Sequence, residues 1–208
     1  MFFFVLYPRI PQIALAMCPG CLLVRTKNGK KIPEEGLDME DLFQQVRSFL
    51  VSPAERQEEF DASDALIWVD WGDEDESVLS YLNDVLPEEA QIEYECTDSM
   101  EERGFDILLK KDGAVHAISY AADAADRDTT LRAAQEYLAP AYEVRWYMGS
   151  LGSDTLAFVL LPASQWEQLE REFGAEQVTY YFAPIHADSQ MFEMDVDEVF
   201  DLLGQRKQ

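Results

Sequence analysis

The sequence predicts an α+β fold in which antiparallel sheet is flanked by helices. Three observations carry that expectation. Apolar residues recur at three- and four-residue spacing in several segments, the signature of helices with one buried face. Between them lie β-rich runs joined by two-residue turns, Asn28-Gly29 the strongest signal and Asp112-Gly113 another. The order helix, strand, strand then occurs twice, over residues 77–111 and 130–162. The paired segments VLSYLNDVLPEEAQIEYE and TLRAAQEYLAPAYEVRWY carry this echo. Two αββ repeats make either a duplicated domain or one continuous antiparallel sheet. No long linker or low-complexity stretch separates them, so residues 1–208 read as one continuous α+β body.

The elements follow in chain order. Cys21 to Ile32 reads as a hairpin across Asn28-Gly29. Leu37 to Val51 is an amphipathic helix with Met39, Leu42, Phe43, Val46, Phe49 and Leu50 on one face. Asp38, Glu40 and Asp41 fill its first turn, where the helix dipole favours acids. Pro53 opens a short acidic helix that ends near Phe60. Ala65 to Trp71 (ALIWVDW) is expected to be a central strand, and Asp73 to Leu86 a helix with Val78, Leu79, Leu82 and Val85 inward. Gln91 to Thr97 alternates as a half-exposed strand. Phe105 to Lys111 pairs with Ala114 to Tyr120. Asp128 to Leu138 is a helix capped by Asp128 or Thr129. Strands over Tyr142 to Met148 and Thr155 to Leu161 follow, then a helix from Ser164 to Phe173. Ser164 and Glu167 predict its capping box and Gly174 its end. Val178 to Pro184 reads as a strand carrying Tyr180, Tyr181 and Phe182, and Asp195 to Leu203 as a last helix.

Charge narrows the class of partner. The chain has 41 Asp plus Glu against 16 Lys plus Arg, for a net charge of −25. Five basic residues (Arg9, Arg25, Lys27, Lys30, Lys31) and no acid lie in residues 1–31. Apolar residues make up 48% of the chain, too many for an acidic disordered solubiliser, so the charge rides on a folded body. Such a field repels nucleic acid and anionic membrane and attracts cationic partners. Three cysteines are too few for a disulfide scaffold, which points to a reducing, cytoplasmic setting. Arg9 sits inside the apolar N-terminal stretch rather than ahead of it, unlike a signal peptide. Met17 is an alternative start to Met1.

Chemistry is sparse. Cys18-Pro-Gly-Cys21 has redox or half-zinc spacing, but only Cys96, His116 and His186 could complete a metal site, and they are scattered. His116 lies in a strand and reads as a core or edge histidine. Elbow, phosphate-loop and His-Glu-x-x-His motifs are absent, so neither catalytic residue nor cofactor is expected.

The densest acidic run is Asp70-Trp71-Gly72-Asp73-Glu74-Asp75-Glu76, with Asp61 and Asp64 just before it. It reads in three ways. As structure, acids at a helix N-terminus cap it and satisfy its dipole. As a metal site, it lacks the regular ligand spacing of a calcium loop. As an interface, Trp68 and Trp71 inside a rim of carboxylates suit a basic protein patch. The interface reading selects Asp61, Asp64, Trp71, Asp73, Glu74, Asp75 and Glu76 as partner-binding residues.

The stretch TLRAAQEYLAPAYEVRWYMGSLGSDTLAFVLLPASQWEQLEREFG, set in an acidic α+β body without catalytic motifs, resembles the immunity proteins encoded beside bacterial antagonistic toxins, including type VI secretion effectors. That resemblance implies a cytoplasmic, non-catalytic protein whose acidic face covers the basic active-site cleft of a cognate toxin, often a nuclease. It transfers no functional residue. An adaptor or chaperone that loads a secreted effector, and a DNA-mimic inhibitor, are the competing expectations. A homo-oligomer is left open.

Overall fold

The computed structural model describes residues 38–99, 104–121 and 124–206. The hairpin expected at Cys21–Ile32, the Cys18/Cys21 pair and the basic N-terminal segment lie outside the described residues. Within them the fold is α+β, with seven helices and two antiparallel sheets.

Two helices come first, α1 (Met39–Val51) and α2 (Pro53–Asp61). The Asp38 side chain caps α1 by accepting the Glu40 N–H, one residue outside the turn it was expected to occupy. Leu42, Phe43, Val46, Phe49 and Leu50 are buried along one face of α1, as the spacing predicts. Next come β1 (Ile67–Asp70) and α3 (Asp75–Val85), with Val78, Leu79, Leu82 and Val85 turned inward. Strands β2 (Glu93–Asp98), β3 (Phe105–Lys111) and β4 (Ala114–Ala117) form a three-stranded sheet in that order. Asp112 and Gly113 both take positive φ, 53° and 77°, so the β3–β4 link is the tight turn that matches strand twist.

Helix α4 (Arg127–Leu138) leads to β5 (Tyr142–Tyr147) and β6 (Thr155–Pro162). Helices α5 (Ala163–Phe173) and α6 (Ala175–Tyr181), β7 (Phe182–Pro184) and α7 (Val196–Arg206) complete the chain. The second sheet runs β1-β6-β5-β7. Both αββ orders are present, as α3-β2-β3 and α4-β5-β6, but their hairpins belong to different sheets. Strand β1 is an edge strand and not the central one expected, because β6 pairs it on one side and β5 fills the middle.

The larger sheet is covered on both faces. Opposed residues of antiparallel strands share a face. The register Ile67↔Phe158↔Trp146 therefore defines one face, and Ala157↔Tyr147↔Phe182 the other. On the second face Phe49 stacks on Phe60 at 4.5 Å, and both meet Tyr147 and Phe182 edge-on. Trp166 of α5 completes this aromatic group. On the first face Phe158 stacks with Phe192 from the segment before α7. Gly149 lets the chain fold back onto the Tyr147 ring, where a Cβ would come within 2.3 Å of the ring.

Three local expectations fail for identifiable reasons. Ser164 lies inside α5, whose cap position is Pro162, because β6 runs straight into the helix; its capping box does not form. Helix α4 is capped by Asp126, which accepts the Thr129 N–H, and not by Asp128 or Thr129. Val178–Tyr181 is helical, despite its β-branched and aromatic composition. Gly174, at φ 89°, ends α5 and restarts the chain as α6. Val178 and Phe182, four apart, are then buried together while Tyr180 faces outward, a helical rather than an alternating pattern.

Asp128 instead ties two distant segments together. Its fully buried carboxylate accepts the N–H groups of Met191, Phe192 and Glu193 at 2.9–3.2 Å. Asp128→Ala would leave these donors without an acceptor. It is expected to lower unfolding stability by about 3 kcal/mol, and Asp128→Asn, which keeps one oxygen, by about half of that. Urea titration followed by tryptophan fluorescence checks both values; an Ala variant at wild-type stability would refute this role for Asp128.

Candidate functional site

The acidic run opens with a turn that satisfies itself. Asp70 Oδ1 accepts the Gly72 N–H at 2.7 Å, and Asp73 Oδ2 accepts the Asp70 N–H at 2.8 Å. The Asp73 N–H returns to the Asp70 carbonyl, and the Tyr81 hydroxyl donates to Asp73 Oδ1 at 3.3 Å. Such side-chain to backbone bonds are why Asp is favoured where a strand turns into a helix. Glu74 then stands at the cap position of α3 with its side chain exposed and making no cap bond.

Asp75 is removed from the expected binding surface. It is fully buried and accepts the Asp126 N–H at 3.1–3.2 Å and the Thr130 hydroxyl at 2.8 Å. It therefore joins the N-terminus of α3 to that of α4 and has no face left for a partner. Asp61 is also engaged, since it accepts the Tyr147 hydroxyl at 2.9 Å. This bond and burial push the phenol well above its usual range, with burial the larger cause. Asp73 is half-buried and committed to its turn. Asp64, Trp71, Glu74 and Glu76 remain exposed.

The exposed acids form two groups. Asp64 precedes β1, and Glu74 and Glu76 follow it, so the strand itself separates them by roughly 10 Å at about 3.3 Å per residue. Trp68 and Asp70 share the outward side of β1, whose Ile67 and Val69 point into the core. Trp68 is 39% exposed and Trp71 44%. The Trp71 ring is braced from inside by Phe192, edge-on at 5.4 Å. Phe192 is held in turn by the Arg127 guanidinium, 5.2 Å from its ring, and Arg127 Nη1 donates to the Asp73 carbonyl at 2.9 Å. An exposed indole on a fixed base, beside carboxylates, is suited to docking against a cationic protein surface.

The bracing residues Asp126, Arg127, Thr130 and Phe192 were not singled out in the sequence. Asp126-Arg-Asp-Thr-Thr130 signals a helix cap, but its partners lie 51 to 65 residues away along the chain. That separation is what hid the arrangement.

Chemistry elsewhere is limited. Among the described residues no group of three His, Cys, Asp or Glu side chains is placed to hold a metal ion, and no helix is long and apolar enough to cross a membrane. His116, on edge strand β4, and His186 are both exposed. Grooves of about 740, 930 and 510 Å³ flank the β3–β4 hairpin and the α1–α2 pair, and none of the three is lined by Asp70–Glu76. Comparison with family models, curated proteins and solved structures finds no match for this chain.

Cys96 on β2 is pushed up to about 11, first by desolvation and then by the neighbouring Glu76 carboxylate. A nucleophilic cysteine needs the opposite shift. In a Cys18→Ser, Cys21→Ser background, Cys96 is expected to react with iodoacetamide at pH 8 far more slowly than a free cysteine. Glu76→Gln removes the charge and should accelerate it. Labelling at the free-cysteine rate would contradict this environment.

Proposed function

We propose that this protein is a non-catalytic, cytoplasmic binding protein that neutralises a cognate basic toxin by covering its active-site face, most simply a nuclease-type effector. One observation carries the reading. Trp71 lies exposed in the turn that carries the exposed carboxylates of Asp70 and Glu74, on a body of net charge −25. Carboxylates facing Lys and Arg speed encounter, and a desolvated aromatic anchor slows dissociation. A nuclease cleft built to hold phosphates presents the complementary field. The same charge opposes binding of nucleic acid by this chain itself. With Asp61, Asp73 and Asp75 engaged within the fold, Asp64, Trp71, Glu74 and Glu76 are left of the expected contact set.

The test begins with the tagged full chain, used to isolate a stoichiometric basic partner from its native lysate at low and high salt. Adding the purified protein should then abolish that partner's activity. Glu74→Lys with Glu76→Lys is expected to lower the association rate about tenfold at low salt and to flatten its salt dependence. Trp71→Ala should weaken the equilibrium constant about 30-fold, mainly through faster dissociation. A partner bound but fully active in the complex would replace neutralisation with an adaptor role. Unchanged rates and affinity in both variants would remove this surface from the interface.

A further inference from the structure

Sheet edges show a second feature, distinct from the tryptophan surface. An exposed strand edge offers unpaired backbone groups to any extended chain, and proteins guard against this with charges or proline. Edge strand β2 carries Glu93, Glu95 and Asp98, and β7 is three residues long and ends in Pro184. Edge strand β1 ends in Asp70. Strand β4, Ala114-Val115-His116-Ala117, has neither charge nor proline and is exposed at every residue.

The register says which of its backbone groups are open. A two-residue turn places Lys111 and Ala114 in a hydrogen-bonded pair, so Leu109 and His116 form the next one. The Ile118 N–H, bonded to the Ile107 carbonyl at 2.9 Å, continues the same alternation. Val115 and Ala117 therefore sit at the non-bonded positions, and their N–H and C=O groups point away from β3. Neither residue has a hydrogen bond to the outer side among the described residues. Val115 is 57% exposed.

This edge forms one wall of the groove of about 930 Å³, and α4 forms the other. Leu109, Ile118, Ala133 and Ile185 give the groove an apolar lining. Its cations hydrogen-bond neutral acceptors and keep their charge: Lys111 donates to the Tyr137 and Ala139 carbonyls, and Arg132 to the Ser189 carbonyl and Thr129 Oγ1. The carboxylates of Glu136 and Asp112 line it without an ion pair among the described residues. On the far side of the hairpin turn, Glu89 and Glu93 line the adjoining groove, also unpaired there. Across the two grooves the carboxylates of Glu89, Glu93, Asp112 and Glu136 outnumber the cations Lys111 and Arg132, Lys110 being paired with Glu95.

The geometry points to β4 as a strand-addition site for an extended, Lys- or Arg-bearing segment of a partner protein, laid between β4 and α4. Val115 and Ala117 supply the backbone rungs, the apolar lining takes alternate small or aliphatic side chains, and Glu136 and Asp112 face the basic ones. A second copy of this chain is a poorer occupant. It would bring another net charge of −25 and its own unpaired Glu136 and Asp112 to the same groove.

The probe is a blocked ten-residue peptide of alternating lysine and valine, with a glutamate–valine peptide as its charge-inverted control, added to the isotope-labelled full chain. The lysine peptide is expected to shift the Val115 and Ala117 amide resonances and to slow their hydrogen exchange at least tenfold; the glutamate peptide should do neither. Val115→Pro removes an outward N–H without removing a β3–β4 bond, and should weaken the lysine peptide at least tenfold. Glu136→Lys, on the exposed side of α4, should weaken it several-fold and covers the case in which the proline variant does not fold. Trp71→Ala should leave peptide binding unchanged, so the outcome here is independent of the tryptophan surface. No response at Val115 and Ala117 at millimolar peptide, equal binding of the glutamate peptide, or dimerisation through β4 in sedimentation would each overturn the assignment.

Discussion

The strand that everything else answers to is β6. Leu156 through Leu161 are all buried, so neither face of this strand can meet water. A strand apolar on both sides demands cover on both sides. The aromatic group of Phe49, Phe60, Tyr147, Trp166 and Phe182 closes one face. Closing the other requires Phe192 to stack on Phe158, and Phe192 lies in a segment without regular structure. Irregular backbone placed against a core needs its N–H groups satisfied. Asp128 does this for residues 191–193, and Asp75 does it for the start of α4.

This arrangement explains how so acidic a chain tolerates buried carboxylates. Asp75, Asp126 and Asp128 are the buried acids among the described residues, and backbone N–H and hydroxyl groups serve them. With 16 basic residues for 41 acids, cations are scarce. Helix N-termini supply partial positive charge without spending one. Among the described residues Arg145 is the buried cation. It bridges Glu143 and Glu170 and lies over the Trp166 ring at 4.5 Å, bracing the aromatic face.

The same interior braces the surface. Trp71 is presented outward because Phe192 holds its edge, and Phe192 is held because Asp128 fixes the segment it belongs to. Ring, carboxylate and backbone form one connected support beneath an otherwise exposed indole. A contact residue fixed in advance loses little freedom on binding, which favours a lasting complex. At the other sheet, β4 presents open backbone where β2 presents acids. Charge and strand edge thus mark the two surfaces we propose to receive another chain.

Sequence alone determined the class of fold, most element boundaries and the sign of the surface. Periodicity set the buried faces of α1 and α3, and Asp112-Gly113 set the β3–β4 turn, because each is decided by neighbours a few residues away. The acidic run was legible as a run, but the exposure of Trp71 beside it belonged to one of three readings of that run. Only the tertiary structure decided what each acid does. Glu74 and Glu76 face solvent while Asp75 between them is buried, and the difference comes from Asp126 and Thr130, more than 50 residues away. The edge position of β1, the helical state of Val178–Tyr181 and the capping of α4 by Asp126 were settled the same way. Local preference ranks the options for a segment; the contacts that choose between them are long-range, and spacing along the chain does not encode them.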